Sequence, residues 1–122
     1  MRLSRPITVL ATVLALLALP AAADSSRLPI LVPITSFLAL EGLSQRNGAL
    51  LALRQFEAAG APAAEVIDTG VTPEGAVTAF ERALRSGKAP AVVAPMLGTQ
   101  MLALLPLAER EGVPLVTVSG TA

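Results

Sequence analysis

The residues able to do chemistry in this 122-residue chain are few and of one kind. There is no His and no Cys. Their absence excludes a Ser-His-Asp triad, a Cys nucleophile, a disulfide and the usual zinc ligand sets within this stretch. What remains is three short runs of glycine and hydroxyl residues: Thr35-Ser36, Gly98-Thr99 and Ser119-Gly120-Thr121. Such runs suit a small polar ligand. Glycine lets a backbone come close, and Ser or Thr hydroxyls donate to an oxygen. Backbone N–H groups that open a helix point at an anion such as a carboxylate. Taken singly, the same runs are the caps and turns of any α/β protein, so the elements that carry them must decide.

Composition first splits the chain in two. Residues 1–23 hold Arg2 and Arg5, then an apolar run over 7–19 broken by Thr8 and Thr12, then Pro20 and Ala21-Ala22-Ala23 before Asp24. A charged start, a short apolar stretch and small residues before a cut are the secretory signal pattern. Cleavage is expected after Ala23, with export to the periplasm. The apolar run is short for a membrane-spanning helix, which needs about 20 residues. No Cys follows it, so no lipid anchor is expected. The whole chain has 9 basic and 9 acidic residues. Removing the leader takes away two arginines and leaves a mildly acidic remainder, without the basic excess that a nucleic-acid partner requires.

The remainder alternates short apolar strands with helices. Residues 29–34 form a compact apolar strand, apolar on both faces as a buried parallel strand is. Helical spacing is expected over 43–59, with Ala49, Leu53 and Phe56 on one stripe, Leu50 beside it, and Gly60-Ala61-Pro62 as the stop. A second strand covers 65–68. Thr72 then caps a helix opened by Pro73, with Glu74 near its positive end and Ala76, Val77, Phe80, Ala83 and Leu84 as an amphipathic stripe. Residues 91–94 are a third strand. Thr99 is expected to cap a third helix running to Glu111, with Met101, Leu104, Leu105 and Ala108 inward, Leu102 and Leu107 off the stripe, and Pro106 a source of bending. Residues 114–118 are a fourth strand.

This β-α-β-α-β-α-β pattern implies an α/β fold with a parallel sheet and right-handed crossovers. The flavodoxin-like strand order 2-1-3-4 places the first helix on one face and the next two on the other. Ligands of such sheets bind outside the carboxyl ends of the strands, where the order reverses. Here the reversal lies between strands one and three, and the three glycine and hydroxyl runs converge on that edge. Other motifs fall away. No G-x-G-x-x-G follows the first strand, so no dinucleotide cofactor is expected, and no other cofactor or metal site is indicated. Gly87-Lys88 follows a helix and lacks the rest of a phosphate loop. Asp68 reads as a turn residue, Glu41 as a solvated acid at a helix start, and Glu109-Arg110-Glu111 as a solvated helix end.

With three helices one sheet face is half bare, and the sequence stops just after its fourth strand. Residues 24–122 are therefore expected to be an incomplete N-terminal lobe, poorly folded alone. The residues that carry a resemblance are Pro33-Ile34-Thr35-Ser36, Leu40-Glu41-Gly42, Asn47-Gly48-Ala49 with Leu51-Ala52-Leu53, Asp68-Thr69-Gly70 with Thr72-Pro73-Glu74, Gly98-Thr99, and Glu111-Gly112-Val113-Pro114 leading to Ser119-Gly120-Thr121-Ala122. In this order and spacing the chain resembles type I periplasmic binding proteins, and within them the branched-chain amino acid substrate-binding components of ABC transporters.

The resemblance implies two α/β lobes closing on a ligand, with this chain part of lobe 1. It implies that first-lobe groups hold an amino acid carboxylate, at Gly98, Thr99, Gly120 and Thr121, with Ser36 where the family often has glycine. The function expected is a non-enzymatic periplasmic solute receptor. It binds a branched-chain or other small amino acid, or an amide, and delivers it to an ABC permease in the inner membrane, the full-length protein being a monomer. The alternative is an exported sensing domain of a receptor or regulator with the same fold. A third reading, an exported enzyme, is weakened by the missing His and Cys and by the lack of G-x-S-x-G.

Overall fold

The structure, a computed structural model, describes residues 26–118. The leader at 1–23, with its cleavage site, and Gly120 and Thr121 lie outside the described residues. Four parallel strands form one sheet: β1 (Arg27–Val32), β2 (Ala63–Asp68), β3 (Val92–Val93) and β4 (Leu115–Val116). Their order is β2-β1-β3-β4, the flavodoxin-like order expected. Three helices connect them: α1 (Ala39–Gln55), α2 (Pro73–Arg85) and α3 (Gly98–Glu111), with a 3-10 turn at Glu57–Ala59. No helix among the described residues is long and apolar enough to cross a membrane.

β1 is the central strand because it can be buried on both sides. Ile30, Leu31 and Val32 have no exposed surface, and period-2 alternation sends them to opposite faces. Leu31 faces a cluster with Ile67, Val92, Phe80, Ala76, Ala83, Leu104 and Ala108, which is the core between the sheet and α2 and α3. Phe80 is the largest fully buried side chain. Truncation of such a residue costs about 3–5 kcal/mol, so this face anchors the fold. The stripe expected on α2 holds, and so does its cap: the Thr72 hydroxyl accepts from the Gly75 N–H at 3.1 Å, with Pro73 in the first turn.

Several boundaries differ from expectation, each for a local reason. β1 ends at Val32, not at residue 34. Its Val32 carbonyl accepts from Thr69 N–H at 3.0 Å. Pro33 then has no N–H to offer, and the Ile34 N–H is taken by the Asp68 carboxylate at 3.0 Å. α1 starts four residues early and stops at Gln55. Its buried residues are Gly42 and Gln45, and Phe56, expected inward, is 64% exposed. Gly42 sets this helix: a Cβ there would lie 2.2 Å from the Pro33 carbonyl oxygen, so only glycine lets α1 rest on the loop after β1. In α3 the inward line is Gln100, Leu104 and Ala108. Leu107 packs against the core and Leu105 is exposed, the reverse of the stripe expected. The helix runs through Pro106.

Candidate functional site

The carboxyl edge of the sheet is built in two halves. The half over β2 and β1 is locked by its own polar groups. Asp68, the last residue of β2, accepts from the Ile34 N–H at 3.0 Å and the Gly70 N–H at 3.1 Å. The Thr35 hydroxyl donates to its other oxygen. One carboxylate thus ties the β1–α1 loop to the β2–α2 loop, which bears out its reading as a turn residue. Partial burial pushes the Asp68 carboxyl up, but the Thr35 hydroxyl and the N–H groups of Gly70, Ile34 and Thr35 outweigh this and hold it below the ordinary carboxylate range.

Gln100 completes the lock. Its side chain is fully buried. Its Nε2 donates to the Thr72 carbonyl at 3.0 Å and the Gly70 carbonyl at 3.2 Å, with the Thr69 carbonyl at 3.4 Å. The β2–α2 loop is therefore fastened to the first turn of α3. Sequence reasoning missed Gln100 and its counterpart Gln45, whose Nε2 donates to the Ala94 carbonyl at 2.8 Å at the end of β3. A glutamine in a helix carries no apolar signal. Only the position of Gln100, four residues before the buried Leu104, could have flagged it.

The half over β3 is open. α3 begins at Gly98, and its preceding residue Leu97 provides no side-chain cap. Thr99, expected to be that cap, instead lies inside the first turn. The chain turns helical two residues earlier than a Thr99 cap requires, because Leu97 already holds the extended backbone of the cap position with φ −76° and ψ 124°. The first bond of the helix is Met101 N–H to the Leu97 carbonyl at 3.0 Å. The N–H groups of Gly98, Thr99 and Gln100 therefore precede the ladder and have no carbonyl within their own helix. Gly98 is buried and Thr99 exposed.

Ser36 sits on the neighbouring β1–α1 loop, across the reversal of strand order. Its hydroxyl accepts from the Leu38 N–H at 3.2 Å, which leaves its own O–H as a donor. Thr35, the other hydroxyl on that loop, is spent on Asp68. β1 and β3 are neighbours in the sheet, so the Ser36 loop and the Gly98-Thr99 turn follow adjacent strands at the same edge.

The edge has no formal cation. The segments leaving the strands at 33–38, 69–72, 94–97 and 117–118 contain no charged residue. An anion held there would be recognised by hydrogen-bond donors and the positive end of α3, not by a salt bridge. Among the described residues there is no group of three or more His, Cys, Asp or Glu able to hold a metal.

A family model described as periplasmic binding protein matches residues 25–122. A search of curated proteins finds no match. Solved structures do match. The branched-chain amino acid transporter substrate-binding protein LivJ of Streptococcus pneumoniae, solved in complex with isoleucine, is 26% identical with a TM-score of 0.70. The match covers 80% of this chain and 30% of that one. An extracellular ligand-binding receptor of Desulfohalobium retbaense is 25% identical with a TM-score of 0.67, over 75% of this chain and 17% of that one. An ABC transporter substrate-binding protein of Sphaerobacter thermophilus shares the fold at 19% identity and a TM-score of 0.67, over 80% of this chain and 27% of that one. The chain thus spans less than a third of the length of these relatives. With the strand order, the helix placement and the match over 25–122 all in agreement, the chain belongs to the periplasmic binding protein family and has its type I fold.

Proposed function

We propose that this chain is the beginning of an exported solute receptor for an ABC transporter, and that it receives the carboxylate of a branched-chain or other small amino acid, or the equivalent end of an amide. The observation that carries this reading is the uncapped first turn of α3. Three N–H groups at Gly98, Thr99 and Gln100 and the exposed Thr99 hydroxyl face the edge where the strand order reverses. Gln100 fastens that turn to the β2–α2 loop, so the donors are placed before the ligand arrives. Gly120 and Thr121 would add donors from the segment after β4, and Ser36 one from the loop after β1.

In this reading, a leader cut after Ala23 sends the protein to the periplasm. The ligand is enclosed when a second lobe rotates onto this edge. Closure follows from tighter binding to the closed state, because a ligand shifts an equilibrium only by its differential affinity. The receptor then hands the ligand to an inner-membrane permease without altering it. Calorimetric titration of the full-length exported protein with a panel of amino acids, amides and urea tests this. Binding of at least one amino acid or amide is expected. No heat and no thermal shift with any of them would contradict it.

A further inference from the structure

The two loops that flank the reversal of strand order are joined by one element, α1. Gly42 rests on the loop after β1, so close that a Cβ would lie 2.2 Å from the Pro33 carbonyl oxygen. Three residues further along the helix, Gln45 reaches the end of β3, where its Nε2 donates to the Ala94 carbonyl at 2.8 Å. Residues three apart in a helix are neighbours on its surface, so one side of α1 holds both strand ends. These two contacts set where the β1 loop stands relative to the end of β3.

Ala94 opens the segment that carries the donors of α3. Pro95, Met96 and Leu97 follow it, and the helix starts at Gly98. Pro95 has no N–H to contribute. The Ala94 N–H donates to the Val116 carbonyl at 2.8 Å, and the Thr117 hydroxyl donates to the Pro95 carbonyl at 3.3 Å, so β4 holds the segment from one side. The Ala94 carbonyl is where α1 holds it.

Stability alone does not account for Gln45. The residue is only 9% exposed, and its Oε1 has no hydrogen-bond partner among the described residues. Burying an acceptor without a donor is unfavourable, and an apolar side chain of the same length avoids that cost. What an apolar side chain cannot do is hold the Ala94 carbonyl.

We propose that Gln45 is a positioning residue for ligand binding. From α1 it fixes the strand end that leads into the Gly98-Thr99-Gln100 turn, and with it the spacing between that turn and the Ser36 loop. It acts through Ala94 and touches no ligand. Gln100 fastens the same turn to the β2–α2 loop, so two buried glutamines hold it from two different elements. The inference rests on the reading of this turn as the receiver of a carboxylate or amide. Donors held in place before the ligand arrives raise affinity, because less ordering remains to be done on binding.

The test compares Gln45→Met, which keeps the length of the side chain and removes its amide, with Gln55→Met at an exposed position of the same helix. Both are made in the full-length protein. Gln45→Met removes one unpaired acceptor, Oε1, and creates another, the Ala94 carbonyl, so both variants should melt within about 3 °C of the parent. Calorimetry uses L-leucine, L-isoleucine, L-valine, L-alanine, acetamide and urea. Gln45→Met should bind at least about fivefold more weakly than the parent, and Gln55→Met should bind as the parent does. Amide hydrogen exchange without any of these compounds reads the segment itself. The Ala94 and Met101 N–H groups, bonded to the Val116 and Leu97 carbonyls, should exchange faster in Gln45→Met, while the Ala76 N–H, bonded to the Thr72 carbonyl, keeps the parent rate. A smaller loss of affinity, or parent-like exchange at Ala94 and Met101, would overturn the proposal. So would weaker binding that comes with a larger fall in melting temperature and faster exchange at Ala76, which marks general destabilisation. A parent that binds none of these compounds would overturn the receptor reading and with it the effect on affinity, a result distinct from a parent that binds and a Gln45→Met protein that binds equally well.

Discussion

The two halves of the sheet's carboxyl edge contain similar residues and use them in opposite ways. Over β1 and β2, Thr35, Asp68 and the N–H groups of Ile34 and Gly70 satisfy one another. Over β3, the first turn of α3 has no side-chain cap from Leu97, and among the described residues no hydroxyl or carboxylate is bonded to its N–H groups. A polar group consumed within the fold contributes to stability, and one left at a mouth is available to a ligand. Gln100 joins the halves, because it stands in the open turn and reaches into the locked loop.

The comparison can be broken most severely at Gly75. An added Cβ would lie 2.2 Å from the Thr69 carbonyl oxygen. Gly75→Ala should therefore displace α2 from its loop and cost about 3 kcal/mol of stability, read as a lower urea midpoint of the full-length protein. Asp68→Ala comes next. It strips the partner from two N–H groups and a hydroxyl and should cost about 2 kcal/mol.

The same residue sets a pH signature. Its folded carboxyl lies below its unfolded value, so its contribution is complete above the unfolded pKa and is lost as pH falls through the folded one. Urea midpoints should fall below about pH 4, and Asp68→Asn should flatten that acid limb. Gln100→Leu should cost about 1.5 kcal/mol by leaving the Gly70 and Thr72 carbonyls unpaired. It should also weaken ligand binding, because the donor turn loses its fastening.

Much of the architecture was legible in the sequence, and the reason is visible in α2. Thr72, Pro73 and the stripe through Phe80 each act locally, and each point to the same element. Alternation gave the parallel sheet, and the flavodoxin-like order expected for it is the one observed. α1 was misplaced because its buried side is Gly42 and Gln45 while Leu40, Leu51 and Phe56 are exposed. A helix seated through glycine contact has no apolar period to read. The site was legible as a place and less so as a set of roles. The edge was identified from topology, but Thr99 was taken for a cap, and Gln100 was invisible because burial of a glutamine depends on carbonyls some 30 residues away. Thr35, grouped with the free hydroxyls, proved to be spoken for by Asp68, a pairing across 33 residues that no local pattern reveals.

The smallest change in structure tests the central claim most directly. Thr99→Val keeps the shape of an exposed side chain and removes only its hydroxyl. Using the amino acid or amide that binds the full-length protein, calorimetry of this variant should show about tenfold weaker binding, equivalent to about 1.4 kcal/mol. Its stability should stay within about 0.5 kcal/mol of the parent. Unchanged affinity, or a loss of affinity matched by a loss of stability, would contradict the assignment of the open half to the ligand.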